Sequence, residues 1–435
     1  MSKANATPFA PDLPLILLIG LIILYYGLTQ PLTSLDEGHP YDAQVYFDSA
    51  VQIAEGQPIS GLRPFSYRIA LPYLVGSFFP ENITFGFRFF NLVFGLLTLP
   101  LLHVFLQRYL NSGTTIYTLL LLYVTNPNGL FRFAHFIPAY ADPPALFFIL
   151  LFLVLNQRLR ELNWRTSLVV AAVGVIGVLF REIVLCGVLV YLFGQCFEIK
   201  AQKPYLRIIS KQNLAYCTPP VLACLLTLWL IHASITGTGS YSYTSQMHGV
   251  LVQLFTQPSI YFVAWLTTFG CIPIVLVLGC NASMRSFLAK QQSVTIFLFG
   301  SILLSLSAGY HTDRIIFWSY PAILLLFGHF MESHPIMVSK RHYQLLFFLP
   351  IIIVQALAHR VWLPIPDDPN GQLFAPDLPE WIIFGPYGES SLAHIYASAM
   401  LPETRMLILS QFGVFAFYLL IVMQVERLTK ATSKK

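Results

Sequence analysis

Apolar runs, each near the ~20 residues that cover the hydrocarbon thickness of a bilayer, recur from Leu13 to the C-terminal part of the chain. Nothing constrains the fold more. In lipid every backbone N–H and C=O must be paired within the protein, which leaves helices or a closed barrel. A barrel would alternate polar and apolar residues in short strands, and these runs do not alternate. The chain therefore reads as an all-α, polytopic membrane protein, a single integral membrane domain over residues 1–435. Composition agrees, with 56% hydrophobic and 10% charged residues, against about 25% charged in an average soluble protein.

About twelve transmembrane helices are expected, at roughly 13–30, 85–107, 114–131, 143–157, 166–180, 183–198, 214–232, 258–280, 293–309, 315–331, 344–358 and 406–424. Lys3 followed by a span with no small-residue cleavage site reads as a retained first helix, not a removed signal peptide. With both termini cytoplasmic, most Lys and Arg fall inside, as the loop rule requires. The basic residues left outside (Arg63, Arg68, Arg88, Arg132, Arg181, Arg314, Arg360 and Arg405) are all arginine. Of the 20 acidic residues, only Asp12, Glu161, Glu198, Glu332 and Glu426 fall inside. Carboxylate chemistry, if present, therefore belongs to the outer face of a plasma or inner membrane. The long outer segments are residues 31–84 and 359–405. No basic tract or zinc spacing points to nucleic acid. The six cysteines sit in or beside apolar spans and read as small buried hydrophobes.

The first outer loop gathers Asp36, Glu37, Asp42, Asp48 and Glu55 ahead of Arg63 and Arg68. From Tyr41 to Glu55, Ala43, Tyr46, Phe47, Ala50, Val51 and Ala54 recur at helical spacing, with Asp48, Gln52 and Glu55 on the other side. That pattern predicts an amphipathic helix lying in the interface. Asp42 falls in its first turn, where the helix dipole favours a carboxylate, and Tyr46 stands one turn further on. A helix-start residue alone would account for Asp42. The return of Arg63, Tyr67 and Arg68 in the same loop, on a second interfacial segment bracketed by Pro64 and Pro72, favours a site, because guanidinium forks suit phosphate.

Three later points carry isolated charge. Asp142 opens the fourth span before Pro143 and Pro144, where an ordinary helix start is the plain alternative. Arg181-Glu182 interrupts an apolar stretch from Ser167 to Phe197, and charge in such a place is functional by default unless the two simply pair. Tyr310-His311-Thr312-Asp313-Arg314 joins two uncharged spans, either as a loop that meets water or with Arg314 at phosphate depth and His311 assisting.

Asp42-Ala43-x-x-Tyr46, Pro64-Phe65-Ser66-Tyr67-Arg68, Ala141-Asp142-Pro143 and Asp313-Arg314 ahead of Pro321 together resemble the GT-C superfold of membrane glycosyltransferases. These are similar to the oligosaccharyl-, mannosyl- and aminoarabinose transferases that use polyprenyl-phosphate-linked sugars. The chain lacks a separate Asp-Glu pair at the first loop unless Asp36-Glu37 fills that role. The resemblance implies inversion at the anomeric carbon and a second acidic site at Asp142.

The expected reaction moves a sugar from a polyprenyl-phosphate donor to a glycan, lipid or protein acceptor. Asp42, with Asp36 as alternative, would be the general base, and Asp142 would help position a metal or the acceptor. Tyr46, Tyr67, Arg68, Arg181, Glu182, His311 and Arg314 would bind substrate, the arginines meeting the leaving phosphate. Asp36, Asp42 and Asp142 are hard oxygen ligands, so Mg or Mn between Asp42 and Asp142 is a further expectation. The rival classes are a lipid-linked saccharide flippase or transporter and a non-catalytic envelope-assembly protein. A transporter would carry ionisable groups near mid-bilayer and an internal repeat, whereas here charge sits at helix ends and no repeat is seen.

Overall fold

The computed structural model describes residues 12–159, 163–200, 203–206, 211–238, 243–305, 312–334, 344–362, 365 and 402–432. In chain order the helices are α1 (Leu13–Thr29), α2 (Asp42–Ala54), α3 (Ala70–Phe78), α4 (Ile83–Gln107), α5 (Gly113–Val124), α6 (Phe133–Phe136), α7 (Asp142–Arg158), α8 (Trp164–Phe180), α9 (Val184–Cys196) and α10 (Lys211–Ser234). They continue with α11 (Tyr243–Thr256), α12 (Ser259–Phe269), α13 (Ile272–Leu278), α14 (Ala282–Lys290), α15 (Gln292–Ser305), α16 (Thr312–Ile316), α17 (Tyr320–Ser333), α18 (Leu349–His359) and α19 (Pro402–Thr432). Among the described residues there are also two short strand pairs. β1 (Ser60–Leu62) runs parallel to β4 (Thr236–Thr238), with Gly61 opposite Gly237, and β2 (Phe197–Lys200) runs antiparallel to β3 (Lys203–Leu206).

The structure is thus almost wholly helical. Among the described residues four helices are long and apolar enough to cross a membrane: Ile83–Gln107, Ala215–Ser234, Asp313–Ser333 and Pro402–Val425. The count reaches six if two pairs bent by about 100°, Met247–Thr256 with Ser259–Phe269 and Ile272–Leu278 with Ala282–Lys290, are each taken as one span. Six further apolar helices are shorter. The span expected at 258–280 is interrupted. Gly270 adopts φ +60°, a Cβ there would run into the Gln355 amide, and the chain restarts as α13. Gln355 bridges the break, donating to the Phe269 carbonyl at 3.2 Å and accepting from the Cys271 amide at 3.1 Å.

Helix α7 is buried along nearly all its length, which its uninterrupted apolar sequence after Asp142 requires. One side of it (Leu146, Ile149, Leu150 and Leu153) joins a core with residues of α5, α12, α15 and α17. Its other side (Ala145, Phe148 and Phe152) joins a second core with residues of α2, α3 and α9. Apolar side chains left exposed on the periphery, such as Leu21, Trp229 and Phe417, form faces suited to lipid.

The amphipathic reading of residues 41–55 becomes α2, with Ala43, Tyr46 and Ala50 buried and Gln44, Asp48 and Glu55 exposed. The second interfacial segment, between Pro64 and Pro72, forms the 3-10 turn Phe65–Tyr67 and runs into the start of α3. Gly76 lets α3 press against α2, since a Cβ there would run into the Ala50 carbonyl and the Ile53 side chain. The loop is pinned to α10 by the β1 and β4 pairing and by the Tyr67 ring, 3.8 Å from that of His232. The long segment at 359–405 lies mostly outside the described residues.

Candidate active site

Five helix starts and turns bring six charged side chains together. Asp42 is the first residue of α2 and Asp142 the first of α7, while Arg181 and Glu182 form the turn between α8 and α9. Arg314 stands on α16, which runs through a 3-10 turn at Phe317–Ser319 into α17. Arg68 follows the 3-10 turn Phe65–Tyr67.

Arg314 is the joint of the group. Its Nη2 donates to Asp42 Oδ2 at 3.1 Å, and its Nε lies 3.0 Å from Asp142 Oδ2. The other Asp142 oxygen is taken by Arg181 Nη1. Arg68 forks onto Glu182, with Nη2 to Oε1 at 2.5 Å and Nε to Oε2 at 2.9 Å, and its Nη1 donates to the Tyr46 hydroxyl. Each guanidinium also lies over an aromatic face: Arg314 over Tyr140 at 4.0 Å, Arg181 over Trp318 at 4.8 Å and Arg68 over Phe65 at 5.1 Å. Cations held this way are bound by ring quadrupoles as well as by carboxylates. Three carboxylates meet three guanidiniums, so the six charges balance.

The two halves form one electrostatic neighbourhood around Tyr46. Burial raises its phenol above the ordinary value, and the charges of Arg68, Asp42, Arg181 and Arg314 all act on it. Glu182 is the most open carboxylate, its side chain keeping 37% of its surface. Desolvation pushes its carboxyl up, but the charge and hydrogen bonds of Arg68, with help from Arg181, outweigh that and hold it at about 2, below the ordinary 4.5. A carboxyl depressed on folding contributes stability above its unfolded value and loses it as pH falls through the folded value. The difference in melting temperature between wild type and Glu182→Gln should therefore be constant from about pH 5 to 8 and shrink as pH drops from 4.5 toward 2.

A hollow lies against this cluster, lined by Asn128, Tyr140, Asp142, Arg314, Phe317 and Trp318 among others. Its void is about 10 Å³, room for about one water. Arg314 Nη1, Tyr140 Oη and Trp318 Nε1 are buried without a hydrogen-bond partner among the described residues. Such donors ask for an acceptor. Trp318 also borders a second, apolar cavity of about 330 Å³ between α7, α9 and α15, lined by Ile149, Ile183, Cys186, Val190, Gly300 and Leu303. The hollow beside Arg314 and the apolar cavity thus share one indole.

Of the site residues expected from sequence, Asp42, Tyr46, Arg68, Asp142, Arg181, Glu182 and Arg314 are in the cluster. Asp36 is not part of these contacts. It is exposed in a turn where Asp36 and Glu37 both take left-handed backbone, at φ 44° and 54°. Tyr67 faces α10 through His232. His311 lies outside the described residues. The metal expectation meets a specific obstacle, because Asp42 and Asp142 turn oxygens toward guanidinium groups and a cation between them would face Arg314. Among the described residues no group of three His, Cys, Asp or Glu is placed to hold a metal ion. As arranged, these residues do not fit a divalent metal.

Tyr140, Trp318 and Asn128 were not anticipated. For two of them the signal is spacing: Trp318 is one helical turn after Arg314, and Tyr140 lies two residues before Asp142. Arg132, fully buried, serves elsewhere, donating to the backbone carbonyls of His359 and Arg360. No protein family, curated protein or solved structure matches this chain.

Proposed function

We propose that this chain is a membrane glycosyltransferase of the GT-C kind, with about twelve spans and both termini cytoplasmic. It moves a sugar from a polyprenyl-phosphate donor to a glycan, lipid or protein acceptor at the outer face of a plasma or inner membrane, with inversion. The observation that carries the reading is the meeting of Asp42 and Asp142, distant in sequence, on the single guanidinium of Arg314.

In this mechanism the Asp42 carboxylate accepts the proton of an acceptor hydroxyl. The hydroxyl oxygen then bonds to the anomeric carbon as the bond from that carbon to the phosphate oxygen breaks. The pair of electrons leaves on the phosphate, where Arg314 and Arg181 meet the charge with prepositioned donors. Arg68 and Glu182 keep the adjacent wall rigid, their bidentate fork fixing both planes. Asp142 holds Arg181 and Arg314 in register.

The apolar cavity beside Trp318 supports a donor with a hydrocarbon chain. Gly300 opens onto it, and a Cβ at that position meets nothing within 4 Å. Gly300→Leu should therefore fold normally, and even gain helix propensity, while filling the cavity. Donor affinity is expected to fall about 10–200-fold, the range for added bulk in an apolar pocket. Titrating a lipid phosphate into wild-type and variant protein measures this.

The deciding experiment is transfer of labelled sugar from a polyprenyl-phosphate donor in proteoliposomes, with lipid translocation followed in parallel. An enzyme makes product and loses it on Asp42→Asn or Asp142→Asn. A flippase makes none and goes on moving lipid. An assembly protein does neither.

A further inference from the structure

We infer that Trp318 reads the junction of the donor, its indole N–H donating to one oxygen of the headgroup while its ring packs against the first carbons of the hydrocarbon chain. The inference rests on the reading that the ligand is a lipid phosphate. It adds the side chain that selects a phosphate joined directly to such a chain.

Position singles out this residue. The hollow beside Arg314 and the apolar cavity meet at Trp318, and among the described residues no other lines both. On the hollow side its neighbours include Tyr140 and Arg314, and on the cavity side Ile149, Ile183 and Leu303. The ring is held in this place. It belongs to the 3-10 turn Phe317–Ser319, where the Ser319 hydroxyl donates to the Ile316 carbonyl at 2.7 Å, and the Arg181 guanidinium lies over it at 4.8 Å.

The indole nitrogen gives the position a chemistry. Trp318 is 5% exposed, and its Nε1 is buried without a hydrogen-bond partner among the described residues. A tryptophan that anchors a protein in the bilayer keeps its N–H in the wet interfacial layer, and this one does not. Phenylalanine would make an apolar wall with no polar atom to desolvate. A buried donor costs free energy until an acceptor reaches it, so an acceptor that arrives with the ligand turns that cost into affinity.

Size and donors fit one oxygen. The void of about 10 Å³ has room for about one water-sized group, which matches a single phosphate oxygen and not a whole headgroup. Arg314 and Tyr140 line the same hollow, and Arg314 Nη1 and Tyr140 Oη are likewise buried without a hydrogen-bond partner among the described residues. Three donors suit an oxygen that only accepts. Asp142 lines the hollow too, with its charge offset by Arg181 and Arg314. On the far side of the indole the cavity of about 330 Å³ takes hydrocarbon, so the link from phosphate to chain lies across the ring. An alcohol with the same chain reaches the ring but brings a neutral hydroxyl, a weaker acceptor than a charged oxygen.

The test removes the N–H and keeps the ring. Trp318 is replaced by β-(3-benzothienyl)alanine, which has the shape of the indole with sulfur in place of N–H, and separately by phenylalanine (Trp318→Phe). Full-length protein in lipid nanodiscs is titrated with geranylgeranyl phosphate, with geranylgeraniol as the uncharged control. Both variants are expected to bind the phosphate about tenfold more weakly than wild type, equivalent to about 1.4 kcal/mol, and to bind the alcohol as wild type does. In wild-type protein labelled with nitrogen-15 tryptophan, a single one of the six indole resonances should move downfield with geranylgeranyl phosphate and stay in place with geranylgeraniol. It should be the resonance missing from both variants. Phosphate and alcohol binding reduced in equal measure, with that resonance unmoved, makes Trp318 a packing residue and overturns the inference. Variants that keep the wild-type preference for phosphate, again with the resonance unmoved, overturn the inference and leave the lipid-phosphate reading standing. Equal binding of the phosphate and the alcohol to wild type overturns both.

Discussion

Arg314→Met is expected to lower stability by about 3–5 kcal/mol, the loss that follows removal of one partner from a buried ion pair. The methionine fills similar apolar space over Tyr140, so packing is largely kept and charge is what changes. Asp42 and Asp142 would face each other without the cation they share, and Asp142 would keep only Arg181. Thermal unfolding in detergent, followed by circular dichroism, reads the effect. A double variant separates charge from shape: Asp42→Asn added to Arg314→Met should recover part of the loss, because it removes one of the two negative charges that Arg314 no longer offsets. Arg314→Lys should fall between, since an ammonium keeps the charge but cannot reach two carboxylates with a planar fork. A loss below about 1 kcal/mol for Arg314→Met would mean that the pair behaves as a solvated surface contact, and the central role given to Arg314 would fail.

Legibility in the sequence followed the cost of charge in apolar surroundings. Asp142, Arg181, Glu182 and Arg314 stood out because nothing in their flanking sequence needs an ionised side chain, and all four are in the cluster. Helix α2 was readable from its mixed polarity. Asp36 misled for the opposite reason. It sits among other polar residues, where a carboxylate carries little information, and its left-handed backbone conformation depends on the turn rather than on a periodic pattern. The break at Gly270 was hidden because apolar residues continue through it, and only the Gln355 amide from a distant helix bridges it. Tyr140 and Trp318 escaped notice because aromatic residues at helix ends are common interfacial anchors. Pairing within the cluster was not readable at all. Which carboxylate meets which guanidinium depends on how α2, α7 and α16 pack, and hydropathy has no term for that.

Asp42→Asn is expected to reduce sugar transfer by about 10²–10⁴-fold, the contribution of a positioned general base. The amide keeps the size of the side chain and a donor and acceptor, but it cannot take a proton from an acceptor hydroxyl. Asp142→Asn should be just as inactive for a different reason. It loosens Arg181 and Arg314 together, so it weakens donor binding, whereas Asp42→Asn leaves those two arginines gripped by Asp142. The pair of variants therefore separates base from scaffold through two measurements, single-turnover transfer and lipid-phosphate affinity. For Asp42→Asn the chemical step collapses while affinity is kept, and for Asp142→Asn both decline. If Asp42→Asn retained transfer within about tenfold of wild type, a base would have to be sought elsewhere. Glu182 would be the next carboxylate to examine, since it is the most open of the three. It is also a poor proton acceptor while held at about 2 by Arg68, and a role for it would require that bidentate pair to open first.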